Sequence, residues 1–267
     1  MLVVSAGTRI LFVGDVVGSI GRRTLLEVLP RLRERHEPDF VVVNGENAAG
    51  GRGITSKIAR ELLAAGVDVI TLGNHTYAQQ EIYAYLDTED RILRPANFLK
   101  AQPGHGTCVV ARNGVRLGVV SLSGNAFLDA ALPALPEADA ALYSLRDRAD
   151  HILVDMHAEA TSEKIALGWY LDGRVTAVVG THTHVPTADA RVLPSGTAYI
   201  TDVGMTGARG GVIGVRRDLV IQRMLTKMPI RFEVADEDPW LQGVVITAGP
   251  EPLRASAIEA IQEPLVG

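Results

Sequence analysis

The sequence predicts an α/β (α+β) fold with mixed β-sheets, and three observations carry that expectation. Short β-branched runs alternate with helical segments through the first third of the chain, the rhythm of βαβ units and a largely parallel sheet. Asn113-Gly114 between two β-rich runs marks an antiparallel hairpin with a type I′ turn. With 47% hydrophobic but only 5% aromatic residues, the core must be built from Val, Leu, Ile and Ala.

The elements run in order along the chain. Arg9–Val13 reads as a buried strand, then a helix spans Ser19 to His36, with Ser19 as N-cap and Pro30 as a kink. Asp39–Val43 is a second strand, and Ser56–Ala65 a helix that Gly66 ends. Val67–Thr71 is a third strand, followed by a helix over Ala78–Leu86. The hairpin occupies Thr107–Leu122, Ser123–Pro136 reads as loop, and a helix over Glu137–Ala149 leads into strand His151–Val154. A helix over Thr161–Leu171 and a strand over Val175–Val179 come next. Arg191–Leu193 and Thr197–Ile200 form a hairpin around Pro194-Ser195-Gly196, and Ile230–Val234 and Gly243–Thr247 are late strands. With no repeat, linker or low-complexity tract, residues 1–267 are expected to form a single domain.

Bulk properties narrow the function. A net charge of -5 and a pI of 5.8 speak against a protein that coats nucleic acid through the phosphate backbone. They do not bear on a pocket in which a cation supplies local positive charge. The lone Cys108 permits no internal disulfide and suits a reducing compartment. Met1–Gly7 lacks the basic start of a signal peptide, and no uncharged apolar stretch approaches the roughly 18 residues of a membrane span. A cytoplasmic protein without membrane association or a stable nucleic-acid complex is expected. A symmetric homo-oligomer is compatible with this setting.

The chemistry sits in the residues immediately after each buried strand. Phe12-Val13 runs into Gly14-Asp15, Val41–Val43 into Asn44-Gly45-Glu46-Asn47, and Ile70–Leu72 into Gly73-Asn74-His75. Leu153-Val154 runs into Asp155-Met156-His157, and Val178–Gly180 into Thr181-His182-Thr183-His184. Ligands of open α/β sheets bind at the carboxyl ends of strands, so these five ends can converge on one crevice. Each piece alone has a bland reading: Asp15 as a turn aspartate, Glu46-Asn47 as a solvated loop, His157 as a hydrogen-bonded structural histidine. Their joint occurrence at strand ends points to metal. Asp15, Glu46, Asn47, Asn74, His157, His182 and His184 form a cysteine-free N/O set that suits Mn, Fe, Zn, Co or Ni. Seven ligands exceed the needs of one ion and suit two, about 3.5–4 Å apart, sharing a carboxylate. That arrangement serves in-line phosphoryl transfer to water.

The blocks Gly14-Asp15, Gly45-Glu46-Asn47, Gly73-Asn74-His75, His157 and His182-Thr183-His184 resemble the calcineurin-like metallophosphoesterase superfamily. Two departures stand out: Glu46-Asn47 replaces the usual Gly-Asp, and Thr181 stands where a glycine precedes the final histidine pair. Phe12–Gly18, Asn44–Ala48, Arg94–Asn97, Asp155–Lys164, Gly180–Thr187 and Thr201–Gly207 are similar to the YmdB-like bacterial phosphodiesterase branch. The resemblance implies two mixed sheets packed face to face and flanked by helices. It also implies a di-metal centre, often iron, that hydrolyses cyclic nucleotides, 2′,3′-cyclic ones especially. Asp15, Glu46, Asn47 and His184 would hold one ion, and Glu46, Asn74, His157 and His182 the other, with Glu46 bridging. The nucleophile would be a hydroxide held between the ions, and His75 the catalytic proton donor. The alternatives are a phosphomonoesterase or nuclease on the same centre, or a regulatory RNA-binding protein with a vestigial site. The acidic balance and the lack of aromatic–basic clusters speak against the last.

Overall fold

A computed structural model describes residues 7–266; the signal-peptide question at Met1–Ala6 lies outside them. In chain order the elements are β1 (Arg9–Val13), β2 (Asp15–Val16), α1 (Gly18–His36), β3 (Phe40–Asn44), α2 (Ser56–Ala64) and β4 (Val69–Thr71). Next come α3 (Tyr83–Leu86), β5 (Ile92–Leu93), β6 (Thr107–Arg112), β7 (Val115–Ser123), α4 (Ala134–Leu145), β8 (His151–His157), α5 (Thr161–Leu171) and β9 (Ala177–Thr181). The chain finishes with β10 (Arg191–Val192), β11 (Ala198–Ile200), β12 (Met205–Ala208), α6 (Arg217–Thr226), β13 (Pro239–Ala248) and β14 (Ala255–Pro264).

Two mixed sheets result. The first runs β2-β12-β13-β1-β3-β4-β5, with β14 also on β13; the second runs β10-β11-β9-β8-β7-β6. In the first, β1, β3, β4 and β5 are parallel and β13 is antiparallel to β1. In the second, β7, β8, β9 and β11 are parallel, with antiparallel β6 and β10 at the edges.

Strand alternation sets the layers, because successive side chains point to opposite faces. On β1, Leu11 and Val13 join Leu25, Leu29 and Leu62 in a core under α1 and α2, while Ile10 and Phe12 pack with Leu117, Leu153 and Val179 of the second sheet. A third core joins Val120, Val154 and Tyr199 to Leu145 and Leu167 of α4 and α5. Both faces of each sheet are covered, which is why Ile10–Val13, Phe40–Val43 and Ile152–Val154 read as uninterrupted apolar runs. The four-layer arrangement that the resemblance implied is the one observed.

The differences from the sequence reading have local causes. Ser19 is not the N-cap: α1 begins a residue earlier, after Val17, without a side-chain cap, and runs through Pro30. Thr55 caps α2 by accepting the Ile58 N–H. The expected helix over Ala78–Leu86 is a 3₁₀ turn at Gln80–Ile82 running into the short α3. α4 starts at Ala134, because Pro136 falls in its first turn, where a missing N–H costs nothing. Asn113 and Gly114 have φ of 53° and 82°, as a type I′ turn demands. Ile230–Val234 is not a strand: Val234 alone bridges to Val215. Conversely, β12, β14 and α6 escaped the sequence reading. None of the helices among the described residues is long and apolar enough to cross a membrane.

Candidate metal centre

The carboxyl ends of β1, β3 and β4 in one sheet and of β8 and β9 in the other meet at one end of the molecule. Register does the placing. Val13 lies beside Val43 and Asn44 beside Thr71, so the segments leaving β1, β3 and β4 start side by side. His157 lies beside Thr181 across the second sheet. All seven candidate ligands and His75 come together there.

His157 is the hub. Its Nε2 lies 2.9 Å from Glu46 Oε1, 3.0 Å from Asn74 Oδ1 and 3.0 Å from His182 Nδ1. A single N–H cannot satisfy three acceptors, so this crowd of lone pairs calls for a cation among them. Glu46, His157 and His182 each offer a ligand atom within 4.8 Å of the others. Toward β2, Asp15 Oδ1 lies 3.8 Å from His184 Nε2 and 3.9 Å from His157 Nδ1. That oxygen is fully buried with no hydrogen bond among the described residues, and a buried carboxylate oxygen left so is costly unless an ion meets it. Asn47 sits between His184 and His75: its Nδ2 is 3.1 Å from His184 Nε2 and its Oδ1 3.0 Å from His75 Nδ1. The donor set therefore fits metal at two adjoining places.

Backbone shape makes room for it. Gly73 is required because a Cβ there would collide with the His157 ring and the Glu46 carboxylate. His182 and His184 both adopt positive φ, 99° and 64°, a strained state that persists only where surroundings enforce it. Asp15 Oδ2 accepts the His182 N–H, and the Ile213 carbonyl accepts from His184 Nδ1.

A buried polar layer lies beneath. Thr181 Oγ1 donates to Asp155 Oδ1 at 2.7 Å and sits 2.9 Å from His157 Nδ1, while Asn44 and Thr71 donate to Asp155 Oδ2. Asp155 thus orients His157 through Thr181 and not directly. Lys164, fully buried, pairs with Asp202 at 2.7 Å, and Asp202 also accepts from the N–H and hydroxyl of Thr183, between the two histidines. Glu159 reaches His182 Nε2 at 3.0 Å, a carboxylate on the far side of a ligand-type histidine. Sequence reasoning missed Glu159, Lys164 and Asp202 in these roles. The signal was their membership in the blocks Asp155–Lys164 and Thr201–Gly207.

The electrostatics reflect ionisable groups packed without solvent. Burial raises the Asp15 carboxyl to about 6. Against burial, the neighbouring Glu46 carboxylate lifts His157 to about 9, and His157 in turn holds Glu46 low. Burial and the adjacent His157 charge push His182 down to about 3, and burial lowers His75.

The cleft above the cluster has a volume of about 740 Å³, within the range of small-ligand sites. Glu46, Asn47, His75, His182 and His184 line it, together with Arg52, Ile213, Val215 and Phe232. Asn97 is elsewhere, bonded to the backbone of Ser123 and Leu132, and residues 205–207 lie within β12, whose Met205-Thr206 pair with Asp15-Val16.

The family model for YmdB-like proteins matches residues 11–261. The chain is 49% identical over 253 residues to the 2′,3′-cyclic-nucleotide 2′-phosphodiesterase of Bacillus subtilis (strain 168), covering 95% of this chain and 96% of that one. A solved phosphatase from Mycoplasma pneumoniae superposes with a TM-score of 0.90 at 35% identity, over 97% of this chain and 94% of its own. A hypothetical protein from Thermus thermophilus gives a TM-score of 0.88 at 40% identity, over 96% of this chain and 100% of its own. Sequence blocks, fold and relatives agree: the chain belongs to the YmdB-like protein family.

Proposed function

We propose that this protein is a metal-dependent phosphodiesterase that opens nucleoside 2′,3′-cyclic phosphates, using two ions. Asp15, Glu46, Asn47 and His184 would hold one ion and Glu46, Asn74, His157 and His182 the other, with iron favoured and Mn, Zn, Co or Ni accommodated by the same donors. The observation that carries this reading is the convergence of Glu46, Asn74 and His182 on His157 beside the orphaned Asp15 oxygen. The activity named for the Bacillus subtilis relative supports the substrate class.

When bound, the ions supply Lewis acidity that ionises water near neutral pH and offsets charge on the phosphoryl oxygens. The rest falls to side chains. His75 lines the cleft with Nδ1 held by Asn47, which leaves Nε2 toward substrate. Asn47 Oδ1 accepts from His75 Nδ1, so a ring that takes up a second proton carries it on Nε2. From there it protonates the departing ribose oxygen. Arg52 offers a cation to the phosphate, and Phe232, 41% exposed, offers a face to the base. Cys108, a buried free thiol, fits the reducing cytoplasm in which we place the enzyme.

The test is elemental analysis of protein purified without added metal, paired with turnover assays on 2′,3′-cyclic AMP, p-nitrophenyl phosphate and RNA. About two ions per chain and preferential hydrolysis of the cyclic nucleotide are expected. Metal-loaded protein inert toward all three would refute the proposal.

A further inference from the structure

The block Arg94-Pro95-Ala96-Asn97 plays no part in the metal centre, and its arginine is chemically anomalous. Arg94 is only 6% exposed, yet it forms no ion pair among the described residues, unlike its neighbour Arg91, which pairs with Glu89. Its guanidinium makes one hydrogen bond, to the carbonyl of Pro95, and its Nε is buried without a partner. Most N–H donors of a permanently charged group are thus unmet by protein. A buried cation in that state is strongly disfavoured unless something compensates it.

Arg94 lines a cavity of about 610 Å³ that shares no residue with the metal cleft. The cavity also presents Lys100, His105 and Gln102. Gln102 accepts the Leu99 N–H with Oε1, which frees its NH₂ for another acceptor. Two carboxylates reach the rim: Asp87, which accepts the Gly104 N–H, and the partly buried Glu137. Neither forms an ion pair with Arg94. The floor is rigid, since Ala96 donates to the Ser121 carbonyl and Asn97 bonds both ways with Ser123.

We infer that this cavity is a second ligand site, taking a phosphate-class oxyanion on the Arg94 guanidinium with Lys100 and Gln102 as further donors. Planar guanidinium groups are strong donors to such oxyanions, and Arg94 meets the cavity beside Lys100 and Gln102. The inference does not rest on the proposed phosphodiesterase activity.

The test uses the full chain loaded with metal and inorganic phosphate as probe. Thermal denaturation with increasing phosphate is compared for wild type, Arg94→Gln and the exposed-residue variant Lys100→Ala. Any phosphate bound at the metal centre stabilises all three alike, so the difference between them isolates the second site. A smaller phosphate-dependent rise in Tm in both variants is expected. Equal rises in all three proteins overturn the inference. Should Arg94→Gln fail to fold, crystals of wild type soaked in selenate decide: an anomalous peak within hydrogen-bond reach of Arg94 supports the site, and an empty cavity refutes it. Adenosine 3′-monophosphate in place of phosphate separates the sources. An equal Arg94-dependent shift assigns the site to esterified phosphate, and a shift with phosphate alone assigns it to the free ion.

Discussion

The Thr181 hydroxyl lies 2.9 Å from His157 Nδ1 while donating to Asp155, so it accepts the imidazole N–H and fixes which ring nitrogen faces the cleft. A glycine at that position, as in the wider superfamily pattern, could not do this. Thr181→Val keeps the shape and removes the bond. It should lower metal affinity or turnover about 10–100-fold, with Thr181→Ser close to wild type. Titrations of metal binding and initial rates on both variants check this, and a Val variant of full activity would contradict it.

His75 is separable from the ligands. His75→Ala should keep its metal and lose ~10²–10⁴-fold in turnover. His157→Ala should lose metal instead. Elemental analysis beside kcat distinguishes the two outcomes; loss of metal in the His75 variant would make that residue a ligand.

Metal loading should release a proton. With no ion bound, His157 holds its proton up to about 9, well above its ordinary 6.5. A cation must displace that proton, so apparent affinity rises with pH up to about 9 and levels off above. The metal-free fold responds oppositely. The stability supplied by the raised His157 pKa is full below 6.5 and is lost as pH climbs through about 9. Calorimetric titration at neutral pH in two buffers of different ionisation heat measures the release, and binding heats independent of buffer would count against it.

Lys164 and Asp202 brace the His182–His184 turn from below. Lys164→Met leaves Asp202 buried without its cation, which should cost ~3–5 kcal/mol. Urea unfolding of wild type and variant measures it; a change under ~1 kcal/mol would show that Thr183 and backbone donors suffice for Asp202.

Gly73→Ala tests the space at the hub. The added methyl would press on both His157 and Glu46, so metal content should fall while overall helix and strand content holds. Circular dichroism with elemental analysis reads both.

Much of this was legible in the chain. The buried strands, their order and the ligand residues at their ends show because residues covered on both faces must be apolar almost throughout, and the chemistry begins where that run stops. Three things were hidden. β12 and β14 have little apolar periodicity, since β12 is four residues long and β14 is largely exposed on one face. Ser19 looked like a cap, yet α1 starts at Gly18 with φ of 64°, a turn no propensity scale anticipates. The Asp155–Thr181–His157 and Lys164–Asp202 links join residues 24 to 38 positions apart, brought together by strand register in the first and by the packing of α5 in the second.

The pairing of β2 with β12 sets a timetable for biogenesis. Asp15-Val16 has no strand partner until Met205-Thr206 is made, and β1 lacks one neighbour until residues 243–247 are made. Such distant pairings close late. The strand that carries Asp15 is therefore among the last parts of the metal pocket to be locked in place.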